Sequence, residues 1–270
     1  MNAPKTGRLT QLTRNLQAEG IKPLVPFLTA GYPDEETFNG ILAAAAAAGC
    51  PLVEIGIPFS DPVADGPVIQ ASSQQVLEQG MTLARTLELA AAAEREHGLA
   101  VVLMGYLNPI LKMGPARFSQ ACGKARIAGV IIPDLPPEEA AGMRALLAEH
   151  GTDLVDLVAP TTAPDRLAHN APAASGFLYL VSTTGVTGAS TATADTLPAY
   201  VQRVRDVTDL PLYVGFGIST PEQAARVATV ADGVIVGSAL IKLISQAGDN
   251  AVAAAGTYLG QMVQAVKGSS

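Results

Sequence analysis

The fifteen residues from Val53 to Pro67 read V-E-I-G-I-P-F-S-D-P-V-A-D-G-P, an apolar run with an acid in its middle and two more carboxylates in the Pro/Gly-rich stretch behind it. Alternation along an extended chain puts Val53, Ile55 and Ile57 on one face and Glu54, Gly56 and Pro58 on the other. The branched trio suits a packing layer, so Glu54 points to the opposite, enclosed side. An ionised carboxylate without a partner is costly there and tends to take up a proton. A structural carboxylate would want an inward Arg or Lys, and none of the strand candidates below contains one. Glu54 is therefore a candidate general acid/base with a raised pKa. Asp61 and Asp65, taken alone, read as turn residues beside Pro and Gly.

Two glycine turns lie in the last third. Gly215-Phe216-Gly217-Ile218-Ser219 leads to a helix start at Pro221, and Val236-Gly237-Ser238-Ala239 leads into another helix. Small residues let backbone N–H groups approach a ligand, and helix N-termini favour an anion, so the two turns are candidate sites for a phosphate. A third loop, Ser182 to Gly188, is either an ordinary connector or a lid whose Gly188 amide reaches the phosphate. Other chemistries lack their residues. No lysine falls inside a strand candidate, as a Schiff base on such a scaffold would need. His97, His150 and His169 sit at helical segments, away from any metal or triad arrangement. What remains is carboxylate acid/base work on a phosphorylated small molecule, with no metal and no covalent intermediate.

Positioning these groups requires elements that converge. Short apolar runs at Pro23–Ala30, Leu52–Pro58, Ala100–Tyr106, Gly129–Pro133, Leu154–Ala159, Gly176–Ser182, Leu212–Phe216 and Gly233–Val236 read as strands. Between them lie helical stretches such as Glu35–Ala48, Thr82–His97, Pro137–Glu149 and Pro221–Val230. Strand-helix alternation without tight hairpins implies a parallel sheet covered on both faces. An open doubly wound sheet is the alternative, but eight such units in 270 residues fit a closed (β/α)8 TIM barrel better. Arg8–Gln17 adds an extra N-terminal helix that closes the lower end, and residues 1–270 form a single barrel domain. In this architecture chemistry gathers at the carboxyl ends of the strands, and phosphate sits by the loops after the seventh and eighth.

Composition narrows the partners. Hydrophobic residues make up 49% and charged residues 15% of the chain, enough for an extensive core. The formal charge of -7, with no local Lys/Arg block, argues against nucleic acid. Cys50 and Cys122 have no metal or disulfide spacing and read as reduced core residues, which suggests the cytoplasm. The run Ile41–Val53 is too short to span a bilayer, so no membrane association is expected.

The run Glu54 to Pro67 resembles the tryptophan synthase alpha subunit family, and the resemblance extends over essentially the whole chain. Pro26-Phe27-Leu28-Thr29-Ala30-Gly31, Pro133-Asp134-Leu135-Pro136, Gly185-Val186-Thr187-Gly188, Gly215 to Ser219 and Gly237-Ser238-Ala239 carry it further. It implies retro-aldol cleavage of indole-3-glycerol phosphate to indole and glyceraldehyde 3-phosphate. No cofactor is implied in this chain. A beta subunit carrying pyridoxal phosphate, in an alpha2beta2 assembly, would receive the indole through a tunnel. Mapped onto these residues, Glu54 is the acid/base, and Asp65 holds the indole N–H. Phe27, Ile69, Leu103, Ile131, Tyr179 and Phe216 form the apolar cavity, with Thr187 at the substrate. Gly188, Gly217, Gly237 and Ser238 take the phosphate. Pro58, Phe59, Asp61 and Thr187 belong to loops that close over substrate, with Asp61 facing the beta subunit. Two departures stand out: Tyr106 is single where many members carry a tyrosine pair, and Thr183 replaces an arginine found in some members.

Overall fold

The computed structural model describes residues 7–181, 196–215 and 217–268. Eight strands, β1 (Leu24–Thr29), β2 (Leu52–Gly56), β3 (Ala100–Met104), β4 (Gly129–Ile131), β5 (Asp153–Val158), β6 (Leu178–Val181), β7 (Leu212–Gly215) and β8 (Gly233–Val236), pair in chain order. All neighbours are parallel, and β1 pairs with β8 as well as with β2, so the sheet is a closed barrel. The helices are α1 (Arg8–Ala18), α2 (Glu35–Ala48), α3 (Pro67–Glu78), α4 (Leu83–His97), α5 (Leu107–Met113), α6 (Pro115–Lys124), α7 (Ala141–Glu149), α8 (Pro164–Asn170), α9 (Leu197–Arg205), α10 (Pro221–Ala228), α11 (Ser238–Ala247) and α12 (Ala251–Lys267). The fold is the (β/α)8 barrel read from the sequence, with α1 as the extra N-terminal helix.

Local chemistry sets many of the boundaries. Asp34 caps α2 by accepting from the Thr37 amide at 2.8 Å, and Gly49 ends it in the left-handed region. Thr82 caps α4 in the same way. Thr220 and Gln223 form a reciprocal capping box on α10. The helix read over Pro137–Glu149 is instead a short 3-10 turn, Pro137–Glu139, followed by α7. Every residue of β1 and β2 is buried, because one face meets helices and the other meets the barrel interior.

The interior is filled in layers. At the floor, Leu9 of α1 joins Val25, Leu52, Val102, Val155, Phe177, Tyr213 and Ile235 in one cluster, and the Phe177 and Tyr213 rings stack with centroids 4.3 Å apart. Burying such side chains contributes roughly 1.5–3 kcal/mol each. Polar groups fasten α1 to this floor. Asp153, the first residue of β5, accepts from the Thr10 amide at 2.9 Å and from the Thr10 hydroxyl at 3.0 Å. Arg8 donates to the Ile127 carbonyl and to Thr152. At the opposite, carboxyl end of the barrel the described residues line a cavity.

Candidate active site

A cavity of about 930 Å3 opens at the carboxyl ends of the strands. Glu54 lies at its base, 1% exposed, one residue from Val53 and Ile55, which pack outward with the helices. Neither Glu54 carboxyl oxygen has a hydrogen-bond partner among the described residues. Burial, and secondarily the negative charge of Asp65, push its pKa up to about 8. Its surroundings therefore favour the protonated form. Phe27 lies opposite Glu54 in the β1–β2 register. A Cβ at Gly56 would stand 2.6 Å from the Phe27 ring, so only glycine lets that ring settle against β2.

Asp65 lies just before α3, beside Gly66 and Pro67 at the helix start. It is half-buried and faces the same cavity. The Tyr106 hydroxyl donates to Asp65 Oδ2 at 3.1 Å and accepts from the Ala64 amide at 2.9 Å, pinning the loop to the end of β3. Burial raises the Asp65 pKa to about 6, while the Tyr106 hydrogen bond acts the other way. Both carboxyls are thus raised above the ordinary carboxylate range, Glu54 further than Asp65, because Glu54 is the more deeply buried and faces the Asp65 charge. Tyr179 completes the polar interior; burial, then the charges of Glu54 and Asp65, hold its hydroxyl well above its usual range.

The second pole of the cavity is made of small residues at two turns and a helix start. Gly217, Ile218, Ser219, Gly237, Ser238 and Ala239 all line it. Gly217 has φ +53, a left-handed conformation that favours glycine. The first hydrogen bond of α11 runs from the Ile241 amide to the Gly237 carbonyl, so the amides of Ser238, Ala239 and Leu240 have no intrahelical acceptor. The helix has no side-chain cap to take them. In the neighbouring loop Gln223 accepts from the Ser219 and Thr220 amides at 2.8 and 3.2 Å, which commits those two donors.

The residues read from the sequence distribute as follows. Glu54, Asp65, Phe27, Ile69, Tyr179, Gly217, Gly237 and Ser238 meet in this one cavity. Leu103 does not: it pairs with Ile55, faces the helices with Val101, and is fully buried there. The cavity wall at β3 is Met104, one residue on and on the other face. Ile131 points inward but belongs to the apolar layer beneath the cavity, and Pro133, two residues on, lines it instead. Leu157 of β5 is a further wall residue that the sequence reading did not name. Pro58 is buried and Phe59 packs its ring 5.3 Å from that of Tyr106. Asp61 is exposed and accepts from the Ser60 hydroxyl at 2.6 Å. Thr187, Gly188, Phe216 and Thr183 lie outside the described residues. Among the described residues no cluster of His, Cys, Asp and Glu is grouped to hold a metal ion, and no helix is long and apolar enough to cross a membrane.

Residues 13–267 match the family model for the tryptophan synthase alpha chain. The chain belongs to the tryptophan synthase alpha chain family. The alpha chain of Citrifermentans bemidjiense is 48% identical over 235 residues, covering 87% of this chain and 88% of that one. That of Chloroflexus aggregans is 45% identical over 262 residues, covering 96% and 98%. Among solved structures, tryptophan synthase subunit alpha from Legionella pneumophila superposes with a TM-score of 0.89 at 37% identity, covering 97% of this chain and 99% of that one. A Mycobacterium tuberculosis tryptophan synthase structure gives 0.88 at 36%, again covering 97% and 99%. As an alpha chain of tryptophan synthase, the protein is a carbon-carbon lyase of tryptophan biosynthesis that cleaves indole-3-glycerol phosphate to indole and glyceraldehyde 3-phosphate.

Proposed function

We propose that Glu54 and Asp65 carry this retro-aldol cleavage between them. The substrate phosphate sits over the free amides of α11 with Gly217, Gly237 and Ser238, and the indole lies among Phe27, Ile69, Met104, Leu157 and Tyr179. Neutral Glu54 gives its proton to indole C3. The positive charge that develops is stabilised by ionised Asp65, which accepts the indole N–H. Glu54, now a carboxylate, takes the proton of the glycerol hydroxyl next to the breaking bond as the C–C electrons return to the ring. Indole and glyceraldehyde 3-phosphate leave, and Glu54 is protonated again. The observation that carries this reading is the buried Glu54 carboxyl, without a partner among the described residues, in the same cavity as a helix N-terminus whose amides none of those residues claims. Thr187, Gly188 and Phe216, which the resemblance adds to the substrate and phosphate contacts, belong to the same proposal.

The partner is the beta chain of tryptophan synthase in an alpha2beta2 assembly, with pyridoxal phosphate on the beta chain and no cofactor here. Indole passes directly to it. The exposed Asp61 and the 72% exposed Val63, on the loop ahead of Asp65, support a contact on this side of the barrel. We also read residues 1–270 as one domain working in the cytoplasm.

Indole release by the purified chain, with and without a tryptophan synthase beta chain, tests the proposal. Glu54→Gln should abolish release yet still bind a phosphate-bearing indole analogue. Near-normal turnover in that variant would remove Glu54 from the mechanism. Sedimentation of the mixed chains tests the stoichiometry.

A further inference from the structure

Helix α11 runs along the rim of the cavity, and its two faces differ. Leu240, Ile241 and Ile244 are buried against the barrel. Ser238, Lys242 and Gln246 line the cavity at four-residue spacing, which stacks them in one stripe along the helix. Among the described residues lining the cavity, Lys242 is the sole Lys or Arg.

Its charge is uncommitted. Every ion pair between described side chains uses an arginine, and Lys22, by contrast, is tied to the Ala228 carbonyl. Lys242 is exposed and makes no hydrogen bond or ion pair among the described residues. The surroundings call for a cation. An incoming phosphate dianion meets a chain of formal charge -7 and a cavity that already contains ionised Asp65. The amide end of α11 supplies only about half an elementary charge against it.

We propose that Lys242 is the cationic member of the phosphate subsite. Its ammonium, one turn beyond the free amides of Ser238 and Ala239, draws the phosphate in and holds it over the helix end. A compact charge on a flexible stem suits capture of a mobile anion better than a rigid guanidinium fork. Lys242 touches neither the indole ring nor the bond that breaks, so it governs substrate entry and retention while the cleavage step belongs to Glu54 and Asp65. The inference rests on the assignment of Gly217, Gly237 and Ser238 to phosphate.

The experiment is steady-state indole release in the presence of the beta chain, from low to high salt, for the wild type, Lys242→Gln and Lys242→Arg. sn-Glycerol 3-phosphate serves as a competing anion. Lys242→Gln should raise KM and the inhibition constant of glycerol 3-phosphate by roughly 5- to 20-fold, leave kcat unchanged and flatten the salt dependence. Lys242→Arg should recover most of the loss, because the charge returns. A Lys242→Gln enzyme with the wild-type KM and salt dependence, or one in which kcat falls and KM does not, overturns the role of Lys242. Failure of the underlying subsite looks different: glycerol 3-phosphate would not compete even in the wild type, and Gly237→Val would leave KM unaltered.

Discussion

Glu54 and Asp153 are both carboxylates buried in strands of one barrel, at 1% and 6% exposure, yet their surroundings are opposite. Asp153, at the floor, accepts two hydrogen bonds from Thr10 and so holds α1 in place. Asp156 on the same strand is likewise satisfied, with both oxygens on the Arg144 guanidinium at 2.9 and 3.0 Å. Glu54, at the carboxyl end, accepts nothing from the described residues. A buried carboxylate with its partners in place fastens the scaffold. A buried carboxyl with no described partner, at the base of the cavity, fastens nothing, and the barrel is held together from the far end.

That division is open to direct attack. Its largest expected consequence is a split between activity and stability. Glu54→Gln should lower kcat by a factor of about 1,000 or more, given what a positioned acid/base is worth in two proton transfers. Thermal unfolding should show stability equal to or above the wild type, because no partner is lost; a markedly lower melting temperature would mean that Glu54 is structural after all.

Asp153→Ala should do the reverse. Leaving the Thr10 amide and hydroxyl unsatisfied costs about 2–4 kcal/mol of stability in denaturant titrations, while kcat per folded molecule stays near the wild-type value. A comparable loss, about 3 kcal/mol, is expected for Arg144→Met, which strands Asp156, and most of it should return in Arg144→Met/Asp156→Leu. A double variant as unstable as the single one would show that the pair itself, and not the orphaned charge, matters.

The pH dependence sharpens the contrast further. With Asp65 ionising at about 6 and Glu54 at about 8, kcat/KM of the free enzyme should be bell-shaped between those values. In Asp65→Asn the like charge beside Glu54 is gone, so the alkaline limb should move to lower pH. An unmoved limb would assign that ionisation to another group. Stability shifts with pH as well, gradually. The Glu54 pKa is raised on folding, from 4.5 to about 8. Between those values the folded state binds more protons than the unfolded one, so this contribution is present at low pH and is lost as pH rises through that window. Relative to the wild type, Glu54→Gln should therefore gain on the order of 1 kcal/mol per pH unit across it, measured by denaturant unfolding.

Legibility followed the same physical lines. The strand order was readable because helical and extended patterns alternate along the chain, and the inward face of β2 was readable because a single acid breaks its apolar run. On β3 the run Val101-Val102-Leu103-Met104 is apolar on both faces, so it has no phase of its own. Only its pairing with β2, Ile55 to Leu103 and Gly56 to Met104, shows that Met104 faces in. That register is a tertiary fact. Ile131, which the resemblance assigns to the cavity, faces inward in the layer beneath it, since depth along the barrel axis is set by strand stagger. Asp65 looked like a turn residue because its burial and its Tyr106 hydrogen bond come from chain 41 residues away.

Closure of the barrel also bears on how the chain is made. The seam joins Leu24, Val25 and Pro26 to Val234, Ile235 and Val236, and α12 lies against α2, with Gly40 beneath Val252. A nascent chain leaving the ribosome therefore holds β1 with one edge unpaired until some two hundred further residues have emerged. Contacts so distant along the chain close slowly. Translation must have passed β8 before the glycine turns after β7 and β8 can stand beside Glu54 of β2, so the cavity closes only after every strand has emerged.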